Sequence, residues 1–184
     1  GVPDSVLKEL SIYLQKKSKK NHIIATNEGS AVSIGIGHYL STKKIPCIYM
    51  QNSGLGNAVN PLLSLCDPDV YSIPMVVMIG WRGEPGVKDE PQHVKQGKVQ
   101  LDLIKALDLH HAIISKDEQD INAKVTDGIE LAVSMNRPFI FLIKKGTFSK
   151  YRSESSSDEE EEYSNICSSI FLRGDGVIGS TISS

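Results

Sequence analysis

The stretch SIPMVVMIG, residues 72–80, narrows the possible folds more than any other part of the chain. It is almost wholly apolar, so a strand built from it must be covered on both faces, the condition of a strand inside a parallel sheet. It is also far too short to cross a bilayer. Parallel neighbours need crossover connections, usually helices. Apolar runs recur at HIIAT (22–26), IPCIYM (45–50), HHAIIS (110–115) and RPFIFLIKK (137–145). The segments between them carry helical spacing. In DSVLKELSIYLQK, 4–16, Val6, Leu7, Leu10, Tyr13 and Leu14 share one face, and Asp4 and Ser5 stand where an N-cap belongs. QGKVQLDLIKALDL (96–109) sets Val99, Leu103, Ile104 and Leu107 on one side, and 118–136 is a further helix. This alternation predicts an α/β fold, an open and mainly parallel sheet with helices on both faces.

The composition changes abruptly after about Lys150. YRSESSSDEEEEYSN, 151–165, is poor in apolar residues and carries a block of like charge, so it reads as an acidic disordered linker. The tail, 166–184, turns apolar again. The expected organisation is thus one domain over 1–150, a linker and a short tail. The net charge of −2 gives no reason to expect nucleic acid or a membrane surface as partner. Cys47, Cys66 and Cys167 are an odd set without CxxC spacing. They read as reduced thiols rather than a zinc site, and no secretory signal is visible, so a cytoplasmic protein is expected.

Four polar stretches sit where chemistry could be carried. TNEGSAVSIGIGHYL, 26–40, follows a strand candidate and opens a helix, with Glu28 in its first turn. A first-turn acid favoured by the helix dipole is the plainer alternative to a site. Small residues at Gly29, Ala31, Ser33, Gly35 and Gly37 would let a backbone or a flat ligand come close. QNSGLGN, 51–57, is a glycine-rich loop after a strand, or an ordinary turn. GVPDS, 1–5, holds the helix-cap candidates. WRGEPGVKDEPQH, 81–93, is a charged loop holding His93, while Trp81 suits an anchor by packing. GIGHYL and GLGNAV lack the third glycine of a dinucleotide fingerprint.

Taken in order, GVPDS, NEGSA (27–31) and QNSGLGNAVNPLLSL (51–65) resemble the pyrimidine-binding (PYR) half of thiamine-diphosphate-dependent decarboxylases. The resemblance runs over about residues 1–150 and points to phosphonopyruvate decarboxylase, with the sulfopyruvate decarboxylase alpha subunit next. It implies that Glu28 hydrogen-bonds N1′ of the cofactor's aminopyrimidine. Apolar neighbours such as Ile24 and Val32 would then exclude water from it. It further implies that Gln51, Asn52, Ser53 and Gly54 lie against the cofactor. Asp4 or Ser5 would help deliver a proton, His93 would be a proton donor, and Arg82 and Lys88 would pair with a substrate phosphonate.

The implied reaction converts phosphonopyruvate to phosphonoacetaldehyde and carbon dioxide. The expected partner is a diphosphate-binding (PP) domain or subunit, in a homo- or hetero-oligomer, and that partner would hold Mg²⁺. In the tail, GDG at 174–176 begins a diphosphate signature that needs a later Asn, and none follows, so no metal ligand is assigned. VIGSTISS resembles the first strand of a PP domain, which makes a truncated product the expectation. Two alternatives stay open: a separate sulfopyruvate decarboxylase alpha subunit, and a non-catalytic chain that only pairs with a partner.

Overall fold

The computed structural model describes residues 1–18 and 20–151. The tail, and all of the acidic segment after Tyr151, lie outside the described residues. The elements run α1 (Lys8–Lys17), α2 (Glu28–Thr42), β1 (Cys47–Gln51), a 3₁₀ turn (Asn52–Gly54), α3 (Leu55–Ser64), β2 (Met75–Gly80), α4 (Pro91–Ala106), β3 (His110–Ile114), α5 (Ile121–Met135) and β4 (Pro138–Ile143). The sheet order is β1-β2-β4-β3, and every pairing is parallel.

The two central strands are buried at every position. Their side chains alternate between two cores, as the two-residue period of a strand requires. Met75, Val77, Ile79, Ile140 and Leu142 face one core, together with Val32 and Ile36 of α2, Leu62 of α3 and Ile104 of α4. Val76, Met78, Phe139, Phe141 and Ile143 face the other, under Leu10 and Leu14 of α1 and Val125 and Ile129 of α5. Helices therefore cover both faces, as the apolar run at 72–80 requires. Among the described residues, no helix is long and apolar enough to cross a membrane.

Three differences from the sequence reading bear on the site, and each has a physical reason. The strand expected at HIIAT does not form. Residues 1 and 2 run between that segment and β1: the Gly1 amino group donates to Ile23 O (2.8 Å), Ala25 N to Gly1 O (2.9 Å) and Val2 N to Tyr49 O (2.9 Å). The dipeptide thus takes the place beside β1, and Ile23 and Ile24 are left half-exposed. The first helix starts at Lys8 rather than Asp4, because the Asp4 carboxylate draws the amides of Val6 and Leu7 into a turn of their own. The fourth helix starts at Pro91, five residues before the expected start, with proline at its favoured first position.

Phe141 is fully buried, its ring centroid 5.0 Å from that of Phe139. Phe141→Ala should cost about 3–5 kcal/mol. A urea-unfolding midpoint close to that of the wild type would contradict this packing.

Candidate functional site

The polar residues gather at the carboxyl ends of β1 and β2, where open α/β sheets place ligands. Glu28 is the first residue of α2, whose N-cap Asn27 accepts a hydrogen bond from Ser30 N (2.9 Å). Its Oε2 accepts from Asn57 Nδ2 of α3 at 2.8 Å. The rest of the carboxyl packs on Gly54: a Cβ at that glycine would lie 2.4 Å from the Glu28 Cγ, Cδ and Oε1. Gly29 brings the two helices together, since a Cβ there would meet Asn57 O at 2.7 Å. A groove of about 620 Å³ runs on between α2 and α3, lined by Asn27, Gly29, Ser30, Ser33, Asn60 and Ser64 among others. Of the apolar neighbours expected to wall off Glu28, Val32 is buried but Ile24 is 52 % exposed, so Ile24 excludes no water. Its segment has been displaced from the sheet by residues 1 and 2.

The glycine-rich stretch after β1 is not a loose loop. Residues 52–54 form a 3₁₀ turn that runs straight into α3. Asn52 departs from its expected role beside a cofactor. It is 1 % exposed, its Nδ2 donates to Arg82 O (2.9 Å), and its Oδ1 accepts from Arg82 N (3.1 Å). The amide is spent on tying the end of β1 to the end of β2. Gln51 Nε2 donates to Ser53 Oγ at 2.6 Å, and Ser53 is exposed.

Asp4 is 7 % exposed and lies over the end of β2, where a Cβ at Gly80 would sit 2.1 Å from its Oδ2. Oδ2 accepts from Val6 N (2.9 Å) and Leu7 N (3.2 Å), while Oδ1 is buried without a hydrogen-bond partner. Burial pushes the carboxyl above the usual carboxylate range, opposed by those amides and by the Arg82 charge.

The 81–90 segment, expected as a charged loop, is pinned at several points. Trp81 Nε1 donates to Gly97 O (3.0 Å), and Glu84 pairs with Lys144 at 2.6 Å. Arg82 does not present a free cation to a substrate. Its Nε donates to both Asp89 oxygens (3.1 and 2.8 Å), Nη2 bonds Asp89 as well, and Nη1 donates to Ser5 Oγ at 2.7 Å. The bonds from Arg82 hold the Asp89 carboxyl well below the usual range. Lys88 is exposed. His93 is not in the loop: it is half-buried in the first turn of α4, because Pro91 starts that helix early.

The structure thus joins Glu28 to Gly54, and Asp4 and Ser5 to Arg82. Two partners went unread in the sequence. Asn57 stands in the first turns of a helix whose start the glycines had hidden. Asp89 precedes the Glu-Pro pair that starts α4, and the proline was a readable sign of a capped boundary.

The Asp4 shift has a consequence for stability. The folded chain holds this proton more tightly than the unfolded chain, so the contribution is full below the ordinary value of 3.8 and is lost as pH rises through the raised one. Asp4→Asn removes that loss. The urea midpoint of the wild type should therefore fall relative to Asp4→Asn as pH rises from about 4. Parallel curves would contradict the shift.

A family model described as "Thiamine pyrophosphate enzyme, N-terminal TPP binding domain" matches residues 1–106. The phosphonopyruvate decarboxylase of Streptomyces viridochromogenes is 34% identical over 146 residues, covering 79% of this chain and 36% of the relative. That of Streptomyces hygroscopicus is 35% identical with the same coverage, so the chain spans about a third of the length of these relatives. The sulfopyruvate decarboxylase subunit alpha of Methanococcus maripaludis is 30% identical over 143 residues, covering 78% of this chain and 83% of the relative.

Proposed function

We infer a 2-keto-acid decarboxylase role from a premise of family: the chain belongs to the thiamine pyrophosphate enzymes, as an N-terminal TPP-binding domain. The proposed reaction is phosphonopyruvate to phosphonoacetaldehyde and carbon dioxide, completed by a PP domain or subunit that holds the diphosphate and Mg²⁺. The observation that carries the reading is Glu28, a carboxyl at the head of α2 packed on a glycine with no room for a side chain.

The residues fit the cofactor's aminopyrimidine. Gly54, lacking a Cβ, seats the carboxyl itself, and Asn57 holds one oxygen while the other lies over that glycine. When bound, thiamine diphosphate supplies the carbon nucleophile and the electron sink that 2-keto-acid decarboxylation needs. The task of Glu28 is then to hold a proton at N1′, and that of Asn57 is to fix the carboxyl for it. Gln51 and Ser53 border this place, while Asn52 supports it from below. Asp4, whose Oδ1 is unpaired, is the proposed proton donor to the product. Ser5 beside it, whose Oγ accepts from Arg82 Nη1, is the proposed substrate contact. Lys88, exposed at the rim, is the proposed partner of the substrate anion, and His93 a second proton donor from the start of α4.

A second reading has its own observation. The chain covers 83% of the Methanococcus maripaludis alpha subunit, so a sulfonate-bearing substrate and a separate partner subunit form the alternative. Turnover of phosphonopyruvate against sulfopyruvate by the assembled protein decides between them.

Glu28→Gln keeps the size of the side chain but cannot hold the proton. In the protein assembled with a diphosphate-binding partner, kcat should fall on the order of 10²- to 10⁴-fold, with the cofactor still bound. Unchanged turnover in a folded, loaded variant would remove the main support for the reading. Gly54→Ala should likewise cost activity, because it displaces the carboxyl, yet lower stability by no more than about 1–3 kcal/mol. Full activity in that variant would show that the Glu28–Gly54 packing has no functional role.

A further inference from the structure

We propose that Asp89 is a positioning residue, which grips Arg82 side-on and thereby aims its guanidinium at the Asp4–Ser5 turn instead of at a substrate. Asp89 lies in the 81–93 stretch, but the sequence reading gave it no role there. Its side chain is 5 % exposed and that of Arg82 17 %, so the pair is largely withdrawn from solvent. Both Asp89 oxygens are occupied: each accepts from Arg82 Nε, Oδ1 also from Arg82 Nη2 and Glu90 N, and Oδ2 from Gly83 N. This is the side-on, two-point geometry that arginine makes and lysine cannot. With Nε and Nη2 fixed, Nη1 is the arm left to reach out, and it reaches Ser5 Oγ at 2.7 Å.

The clamp joins segments far apart in sequence. The N-terminal turn is held to the end of β2 through Ser5, and the main chain of Arg82 is held to the end of β1 through Asn52. The positive charge is thereby held on the residue next to Asp4, whose other oxygen has no partner. Among the described residues, Arg82 is a charged group that favours the Asp4 carboxylate, and Asp89, Asp4 and Glu90 act in turn on Arg82. Burial favours the protonated acid and Arg82 favours the carboxylate. The placement of Arg82 by Asp89 therefore moderates the rise that burial gives Asp4, together with the amides of the turn, and so bears on the pH at which Asp4 holds a proton for transfer. This consequence rests on Asp4 as the donor of the proposed reaction, but the clamp itself does not need the cofactor.

The test uses the full chain without cofactor, reading the Asp4 carboxyl carbon by NMR across pH. Arg82→Met removes the cation and should raise the Asp4 midpoint measurably above that of the wild type. Asp89→Asn should also raise it, because the guanidinium leaves the turn. In the double variant the midpoint should stay near that of Arg82→Met. An Asp4 midpoint unmoved by either substitution would make the clamp merely structural and overturn the proposal. A fall in Asp89→Asn would show that Asp89 acts by its own charge, and would overturn it equally. A wild-type measurement guards against variants that fail to fold. The Arg82 Nε proton should exchange with water far more slowly than that of an exposed arginine, and exchange at the free rate would refute the grip. None of these outcomes depends on Glu28, so failure here and failure of the decarboxylase reading are distinguishable.

Discussion

Burial of β2 and β4 on both faces is the constraint from which the rest follows. No side chain of either strand can meet water, so both faces need helices, and the helices need the crossovers that make the sheet parallel. Parallel strands leave their carboxyl ends together on one edge. There the chain must turn, and its main-chain groups need partners. Asn52 meets that need by bonding both N–H and C=O of Arg82, so that two neighbouring strand ends share one support. The candidate site is assembled on this edge, where hydrogen bonds tie the two strand ends together.

Two aspartates around one arginine illustrate how that edge drives like groups apart in their affinity for a proton. Asp4 is pushed up by burial and Asp89 is held down by a bidentate ion pair, although both lie near Arg82. The difference follows from geometry. Asp89 has every lone pair engaged, while Asp4 keeps one oxygen buried and unbonded.

Much of the architecture was legible because it depends on patterns that burial imposes locally. SIPMVVMIG read as a strand buried on both faces and RPFIFLIKK as a strand, and both are, while Glu28 stood in a first turn in sequence as in structure. What could not be read depends on contacts between distant segments. HIIAT has strand composition, yet Gly1 and Val2 take its place beside β1, an outcome no local pattern contains. Arg82 looked like a cation for a substrate because its partner lies seven residues on, across a turn without periodicity. The shift of His93 into a helix was readable, since Pro91 marks a first helical position more strongly than the charged residues around it mark a loop. Family resemblance named Glu28, but Asn57 and Gly54 are seen as its supports only once α2 and α3 are brought together.

The central claim is that Glu28 shares a proton with N1′ of thiamine diphosphate. The most direct measurement is ¹⁵N NMR of N1′-labelled cofactor bound to the protein assembled with its diphosphate-binding partner. The account predicts an N1′ resonance displaced toward the protonated position in the wild type, and a return to the free, unprotonated position in Glu28→Gln. The same N1′ resonance in both folded, cofactor-loaded proteins would contradict it.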